Sequence, residues 1–389
     1  MKYTLDENTL TLQPEGRIDS VSSEVFRREM MALCAEYPRD RVVMDAENMR
    51  YISSSGLRVI LEMRRKYPSF CIKNASREVY EVMEYSGFTE IIPIEKAYRR
   101  LSVEGCEVIG HGSNGLVYRL DRDTIVKVYR NAESLPDIQR ERELSRKAFV
   151  MGIPTAIPFD VVRVGECYGS VFELLNARSA ASVLREEPYR LEELAHMQAE
   201  LLKKMHSVEL TPGEIPDKRA DTLSRIEFLR DHLPQEQYGR LYALAEAVPE
   251  DHHLLHGDFH LRNVMLMNNE PLLIDMDTLC LGHPVFEFAS VYMAYQGYGE
   301  LDPDEVTNYM GIPYDRCVRM MRAIFFEYYG LHSEEEYRAV LDKARVIGYA
   351  RMMRRAIHRL GGTRYGREFA AYCAKQLSVL LPRVDSLVL

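Results

Sequence analysis

No stretch of the chain approaches the roughly 18–20 uninterrupted apolar residues that a membrane span needs, so no membrane partner is expected. The opening residues, Met-Lys-Tyr-Thr-Leu-Asp-Glu-Asn, carry no apolar run behind a basic head, so no signal peptide is expected. Positive charge is in short supply: 50 Lys and Arg stand against 59 Asp and Glu, a formal net charge of -9. That balance excludes a polyanion-coating role for the whole chain, and no nucleic-acid partner is expected. The 7 cysteines (34, 71, 106, 167, 280, 317, 373) lie far apart with no Cys-x-x-Cys pair. This argues against a disulfide framework or a cysteine zinc site and fits a reducing cytosol. There is no fixed-period repeat and no low-complexity tract. What remains is 389 residues, 46% hydrophobic and 28% charged, enough for two or three well-packed domains. A soluble, cytoplasmic protein is expected.

Residues 1–100 alternate short strands and helices. Val42, Val43 and Met44 run into Asp45 like a buried strand ending at a polar rim. Phe26, Met30, Leu33 and Tyr37 mark one helical face. Phe70, Cys71 and Ile72 predict another strand, and Ile91, Ile92 and Ile94 a third. The charged, turn-rich segment 95–105 marks a boundary. Residues 106–389 form the second unit, strand-rich over about 106–175 and helical over about 176–389. There Leu191, Leu194, Met197, Leu201 and Met205 trace an apolar stripe. A β-rich part followed by a helical part around a central cleft is the expected architecture.

Gly110-His-Gly112-Ser-Asn-Gly115-Leu-Val117 fits Gly-x-Gly-x-x-Gly-x-Val, a loop whose backbone amides approach phosphate oxygens without a Cβ in the way. Alone it is a weak signal, equally explained by a plain hairpin turn. Ile125-Val-Lys127-Val-Tyr129 then places one lysine inside an apolar strand, where an unpaired charge would be costly. Lys127 is therefore expected to meet an anion, oriented by a carboxylate from the next helix. Glu141 shares a helical face with Ile138, Ser145 and Ala148, while Glu143 sits roughly 200° further round, so Glu141 is the expected partner.

The strongest signal is Leu254-Leu-His256-Gly-Asp258-Phe-His-Leu-Arg-Asn263-Val-Met265, followed by Leu272-Leu-Ile-Asp275-Met-Asp277. Two apolar runs each deliver acidic or amide groups at a polar end. Transfer of a γ-phosphoryl group needs charge held in place more than covalent chemistry. Asp258 would orient, and could deprotonate, an attacking hydroxyl. Asn263 and Asp275 would hold Mg²⁺, which takes oxygen ligands. Asp277 is either a second metal or substrate contact or a solvated loop carboxylate. His252, His256 and His260 are spaced for one helical face, but the context reads as strand then loop without His-Glu-x-x-His, which argues against zinc. His256 is expected to anchor the loop by hydrogen bonds.

Taken in order, glycine loop, lysine, helix glutamate, His-Gly-Asp-x-x-x-x-Asn and Ile-Asp resemble the protein-kinase-like fold, in its aminoglycoside/choline phosphotransferase variant. Gly282-His-Pro284-Val-Phe-Glu287-Phe-Ala289 looks like that group's Gly-Asp-Pro-x-x-Asp-Leu-Ala segment, with His283 and Glu287 in place of aspartates. The resemblance implies ATP and Mg²⁺ as cofactors. It assigns Gly110, Gly112, Gly115, Val117 and Lys127 to the phosphates, with Glu173, Leu174 and Leu175 as the hinge that holds adenine. Only six residues separate Asp275 from Gly282, little room for a peptide-binding activation segment, so a small-molecule hydroxyl acceptor is favoured. From Lys343 to Arg367 eight Lys or Arg occur with no Asp or Glu, either a solvated helix face or an anion-binding surface.

Gly16-Arg-Ile-Asp19, Val42-Val-Met-Asp45, Ile52-Ser-Ser54-Ser-Gly56-Leu57 and Tyr85-Ser-Gly-Phe88 resemble a STAS domain, the anti-sigma-factor-antagonist module of bacteria. The resemblance implies a protein partner and a phosphorylatable serine at a helix start, a position Ser54 occupies. A phosphate there would meet free amides and the positive end of the helix dipole. The alternative is that Ser53 or Ser54 simply caps the helix. The expected fold is thus an α/β STAS-like domain followed by a protein-kinase-like α+β domain with a β-rich N-lobe and a helical C-lobe. The expected activity is ATP- and Mg²⁺-dependent transfer to a sugar, amino alcohol or aminoglycoside. The competing readings are a signalling switch that phosphorylates Ser54 or another protein, and a nucleotide sensor without turnover.

Overall fold

The computed structural model describes residues 1–111, 115–131, 133–213 and 215–388, so Gly112 lies outside the described residues. The chain separates into two compact units, Met1–Ser102 with Val162–Gly165, and Val103–Val161 with Glu166–Leu389.

The first unit is built on a sheet in the order Lys2–Leu5, Thr9–Gln13, Arg41–Asp45, Cys71–Ala75, Ile94–Lys96. Its first pair is antiparallel and the others are parallel. Strand residues Leu10, Leu12, Met44 and Ile72 are buried against Phe26, Met30, Ile60 and Met63 of the helices Ser23–Glu36 and Ser54–Lys66. The isoleucine cluster at 91–94 is not one strand. Ile91 ends a 3₁₀ turn over Phe88–Glu90, Ile92 is buried, and pairing begins only at Ile94. Pro93 explains this, since it has no N–H to give a ladder.

In the second unit the hairpin Val108–His111/Gly115–Arg119 continues into Thr124–Tyr129, which pairs antiparallel with Cys167–Glu173. The helix Leu135–Val150 turns Ile138, Leu144 and Ala148 inward. A helical core follows. In Leu191–His206 the stripe Leu191, Leu194, Leu201 and Met205 is buried, with Met197 partly so. The 27-residue helix Glu334–Leu360 starts from a Ser333/Glu336 capping box, which satisfies donors at both ends of its first turn. Among the described residues no helix is long and apolar enough to cross a membrane.

Candidate active site

Strand alternation puts Val126 into the core and turns Lys127 and Tyr129 to the other face. Across the sheet Lys127 sits between Val117 and Ser170. Its Nζ donates to Glu141 Oε1 at 3.0 Å and to Asp275 Oδ1 at 2.8 Å. Glu141 is buried in the inner face of its helix and also accepts a hydrogen bond from the Tyr129 hydroxyl. Glu143, by contrast, points outward and pairs with Lys147 at 3.1 Å. Burial opposes the charge on Lys127, but Glu141 and Asp275 outweigh it, and the ammonium is held charged above its ordinary range.

The segment from His256 to Asn263 is an irregular loop locked by hydrogen bonds. Asn263 Nδ2 donates to the Asp258 carbonyl at 3.0 Å, and the Asn263 carbonyl accepts from Ile274 N at 3.0 Å. His256 Nε2 lies 3.2 Å from the Ile274 carbonyl. Asp275 is left-handed at φ 64, a conformation costly for a side-chain-bearing residue and concentrated at functional sites. It turns the carboxylate back toward Lys127. His260 Nε2 is 3.7 Å from Asp258 Oδ2 and 2.9 Å from the Tyr309 hydroxyl. Burial would raise the Asp258 carboxyl, but the imidazoles of His260 and His256 and the charge of Arg351 overcome it and bring it down to about 2. Asp277 goes the other way. Burial, then repulsion from Asp275 and Glu141, pushes it up to about 7. A carboxylate cluster that keeps one member partly protonated holds more negative charge than Lys127 neutralises. Among the described residues no three carboxylates or imidazoles converge to hold a metal by themselves, whereas the side-chain oxygens of Asn263 and Asp275 are donors of the kind a hard divalent cation takes.

Three glycines are fixed by close approach. A Cβ on Gly257 would lie 2.4 Å from the Thr278 carbonyl oxygen, and the residue is left-handed at φ +83. A Cβ on Gly115 would lie 2.1 Å from the Val128 carbonyl oxygen, and one on Gly110 3.3 Å from the Val117 Cβ. At 110 the missing Cβ makes room for Val117 across the hairpin, and at 115 for the neighbouring strand Thr124–Tyr129. Gly115→Ala is therefore expected to cost about 1–3 kcal/mol through overpacking, read as a lower melting temperature. An unchanged melting curve would show that the hairpin relaxes freely. At the strand end, Glu173 leads into Leu174, whose amide donates to Asp123 O at 2.8 Å, and then Leu175.

The segment 282–289 and residues outside the sequence motifs support this centre. Glu287, fully buried, accepts from His256 N at 2.5 Å and Gly257 N at 3.0 Å, so it holds the loop that presents Asp258. His283 caps the helix Pro284–Tyr295 by accepting from Val285 N at 3.2 Å, the task an aspartate performs at such a position. Ser290 Oγ donates to the Gly257 carbonyl at 2.9 Å and accepts from Arg351 Nη1 at 2.6 Å. The basic stretch thus divides. Arg351 and Arg354 are half-buried, whereas Arg355, Arg359, Arg364 and Arg367 are exposed. Tyr129 and Arg351 carry no motif, and only their burial in three dimensions marks them.

In the first unit Ser53 is the N-cap of Ser54–Lys66 and accepts from Gly56 N at 3.3 Å. Ser54 is the first helical residue and is exposed.

Comparison with known proteins agrees with both halves. The STAS domain model matches residues 1–101, and the model of the phosphotransferase enzyme family matches residues 105–317. A Bordetella bronchiseptica protein named as an anti-sigma factor antagonist is 34% identical over 100 residues, 24% of this chain and 85% of that protein. Among solved structures, the aminoglycoside phosphotransferase APH(4)-Ia with ADP and hygromycin B aligns at a TM-score of 0.51 and 13% identity, covering 73% of this chain and 97% of that one. Its complex with AMP-PNP and hygromycin B gives 0.50 and 13%, covering 71% and 93%. At that identity the likeness shows the fold alone. With the family model spanning more than half of its length, the chain belongs to the phosphotransferase enzyme family and carries a STAS domain at residues 1–101.

Proposed function

We propose that this phosphotransferase moves the γ-phosphate of ATP, with Mg²⁺, to a hydroxyl of a small molecule such as a sugar, amino alcohol or aminoglycoside. On this reading residues 106–389 are a cytoplasmic kinase with lobes meeting near residue 175, and residues 1–100 are its regulatory module and protein-partner site. The observation that carries it is Lys127 held between Glu141 and Asp275, on the same carboxylate cluster as Asp258. Lys127 positions the α/β phosphates and Glu141 keeps it aimed. Gly110, Gly112, Gly115 and Val117 cover the phosphates, and Glu173 and Leu175 hold the adenine. Asn263 and Asp275 are the ligands for Mg²⁺, which when bound neutralises phosphate charge. The acceptor oxygen forms its bond to the γ-phosphorus as the bond to the β-phosphate oxygen breaks, and its proton passes to Asp258. A carboxyl near 2 is a weak base, so Asp258 acts first by orienting the hydroxyl and takes the proton late.

A second reading is favoured by one observation: Ser53 serves as the cap, while Ser54 stands exposed at the helix start. There the kinase would phosphorylate Ser54 of a STAS domain, its own or another chain's. Intact mass after incubation with Mg·ATP, beside Asp258→Asn, separates the two. An added phosphate mapped to Ser54 and absent from the variant makes the switch primary. An unchanged mass, with ATP binding seen by thermal shift and turnover on one of the sugars, amino alcohols or aminoglycosides, establishes the small-molecule kinase. In that case Ser54→Ala should leave turnover intact.

A further inference from the structure

Beside the catalytic cluster, within the same unit, lies a cavity of about 720 Å³. Glu141 and Asp277 line it, and so do Arg130 and Arg140. The start of the helix Lys218–Glu227 also lines it, through Lys218, Asp221 and Arg225, with Asp217 just before. Lys218 is only 8% exposed, yet its nearest carboxylate oxygen, Asp221 Oδ2, is 3.7 Å away, beyond hydrogen-bonding distance. That carboxylate is already committed, since Asp221 Oδ1 accepts from Arg225 Nε at 2.7 Å. The free amides of the helix start are likewise partly taken, because Asp217 Oδ1 accepts from Arg219 N at 2.8 Å and more weakly from Ala220 N. Among the described residues the Lys218 ammonium, three proton donors on a mostly buried side chain that lines the cavity, has no acceptor within hydrogen-bonding distance. A second cation aggravates it. Burial first, and then the charge of Arg351, lower the Lys218 pKa.

We propose that this cavity is the acceptor's second anchor, in which Lys218 binds an anionic group, phosphate or carboxylate, carried by the hydroxylated substrate. The inference rests on the kinase reading above and narrows its substrate class. Lys218 draws the anionic group, which leaves the uncharged, hydroxyl-bearing part of the molecule to lie toward Glu141 and Asp277 in the same cavity. A polycationic acceptor would meet the mostly buried Lys218 unfavourably.

The test uses the full chain saturated with Mg·AMP-PNP, which fills the nucleotide's own phosphate positions. Titration calorimetry is run with inorganic phosphate and with two matched pairs, ribose against ribose 5-phosphate and ethanolamine against serine. The anionic member of at least one pair is expected to bind about 10- to 100-fold more tightly. That preference should vanish in Lys218→Met and largely survive in Lys218→Arg. Binding of inorganic phosphate alone, lost in Lys218→Met but with no preference within either pair, would mean a free-ion site and overturn the acceptor assignment. So would a preference that Lys218→Met leaves unchanged, or no anion binding at all. With ATP in place of AMP-PNP, Lys218-dependent binding without any ADP formed would leave the anion site standing and sink the kinase reading. Turnover of neutral acceptors at equal kcat/KM in wild type and Lys218→Met would do the reverse.

Discussion

Asp258→Asn should lower kcat by about 10²- to 10⁴-fold, the usual contribution of a positioned proton acceptor, while leaving the melting temperature and the KM for ATP within about twofold. The side chain keeps its shape in the variant. The backbone that carries it is held by Asn263 through the Asp258 carbonyl, which the substitution does not touch. What is lost is the negative oxygen that, in the proposed reaction, turns the acceptor hydroxyl toward phosphorus. Steady-state kinetics on whichever sugar, amino alcohol or aminoglycoside is turned over, with a thermal melt of both proteins, decide the matter. A loss below about fivefold would remove Asp258 from the centre of the reaction and return attention to Asp277.

Glu287→Ala should destabilise the protein by about 3–5 kcal/mol, the range for removing one partner of a buried charged network. A melting temperature lower by roughly 10 °C would follow for a unit of this size. Glu287 is fully buried and accepts two backbone amides, His256 N and Gly257 N, with His206 Nε2 3.9 Å away. Its removal leaves both donors buried without an acceptor. Burial would raise its carboxyl, but the His206 and His256 imidazoles and the Gly257 amide outweigh it and hold it below its ordinary value. Because the folded pKa is the lower one, this stabilisation is fully present above the ordinary carboxylate range. It fades as pH falls through the folded value. The gap in melting temperature between wild type and Glu287→Ala should therefore be wide at neutral pH and narrow toward strongly acidic pH. A gap constant across that range would mean that Glu287 acts by packing alone.

How much of this was readable in the chain depends on whether a residue's role is local. Lys127 was, because one charge in a run of β-branched residues is anomalous by itself. Glu141 was, because helical periodicity separates it from Glu143. The strand at Ile91–Ile94 was misread because apolar composition outweighed Pro93, whose missing N–H is a backbone fact. Tyr129 was opaque for a different reason: a tyrosine in an apolar strand reads as ordinary core, and only the approach of the helix Leu135–Val150 reveals its bond to Glu141. Arg351 disappeared among eight cations, and Lys218 among the charges of a helix start. The burial of a charge is set by elements far apart in the chain, so no window of sequence contains it.

The bond from Arg351 through Ser290 to the Gly257 carbonyl bears on where this enzyme ends as a heritable part. Residues 105–317 match the family, yet Arg351 stands on the helix Glu334–Leu360, beyond that span. A graft or library that cuts the chain at 317 would sever one of the tethers of the loop that carries Asp258. It would also strip Ile347, Met352 and Phe369 from the shared core. Recombination between relatives should accordingly be tolerated when the loop and the long helix travel together, and should fail when they come from different parents.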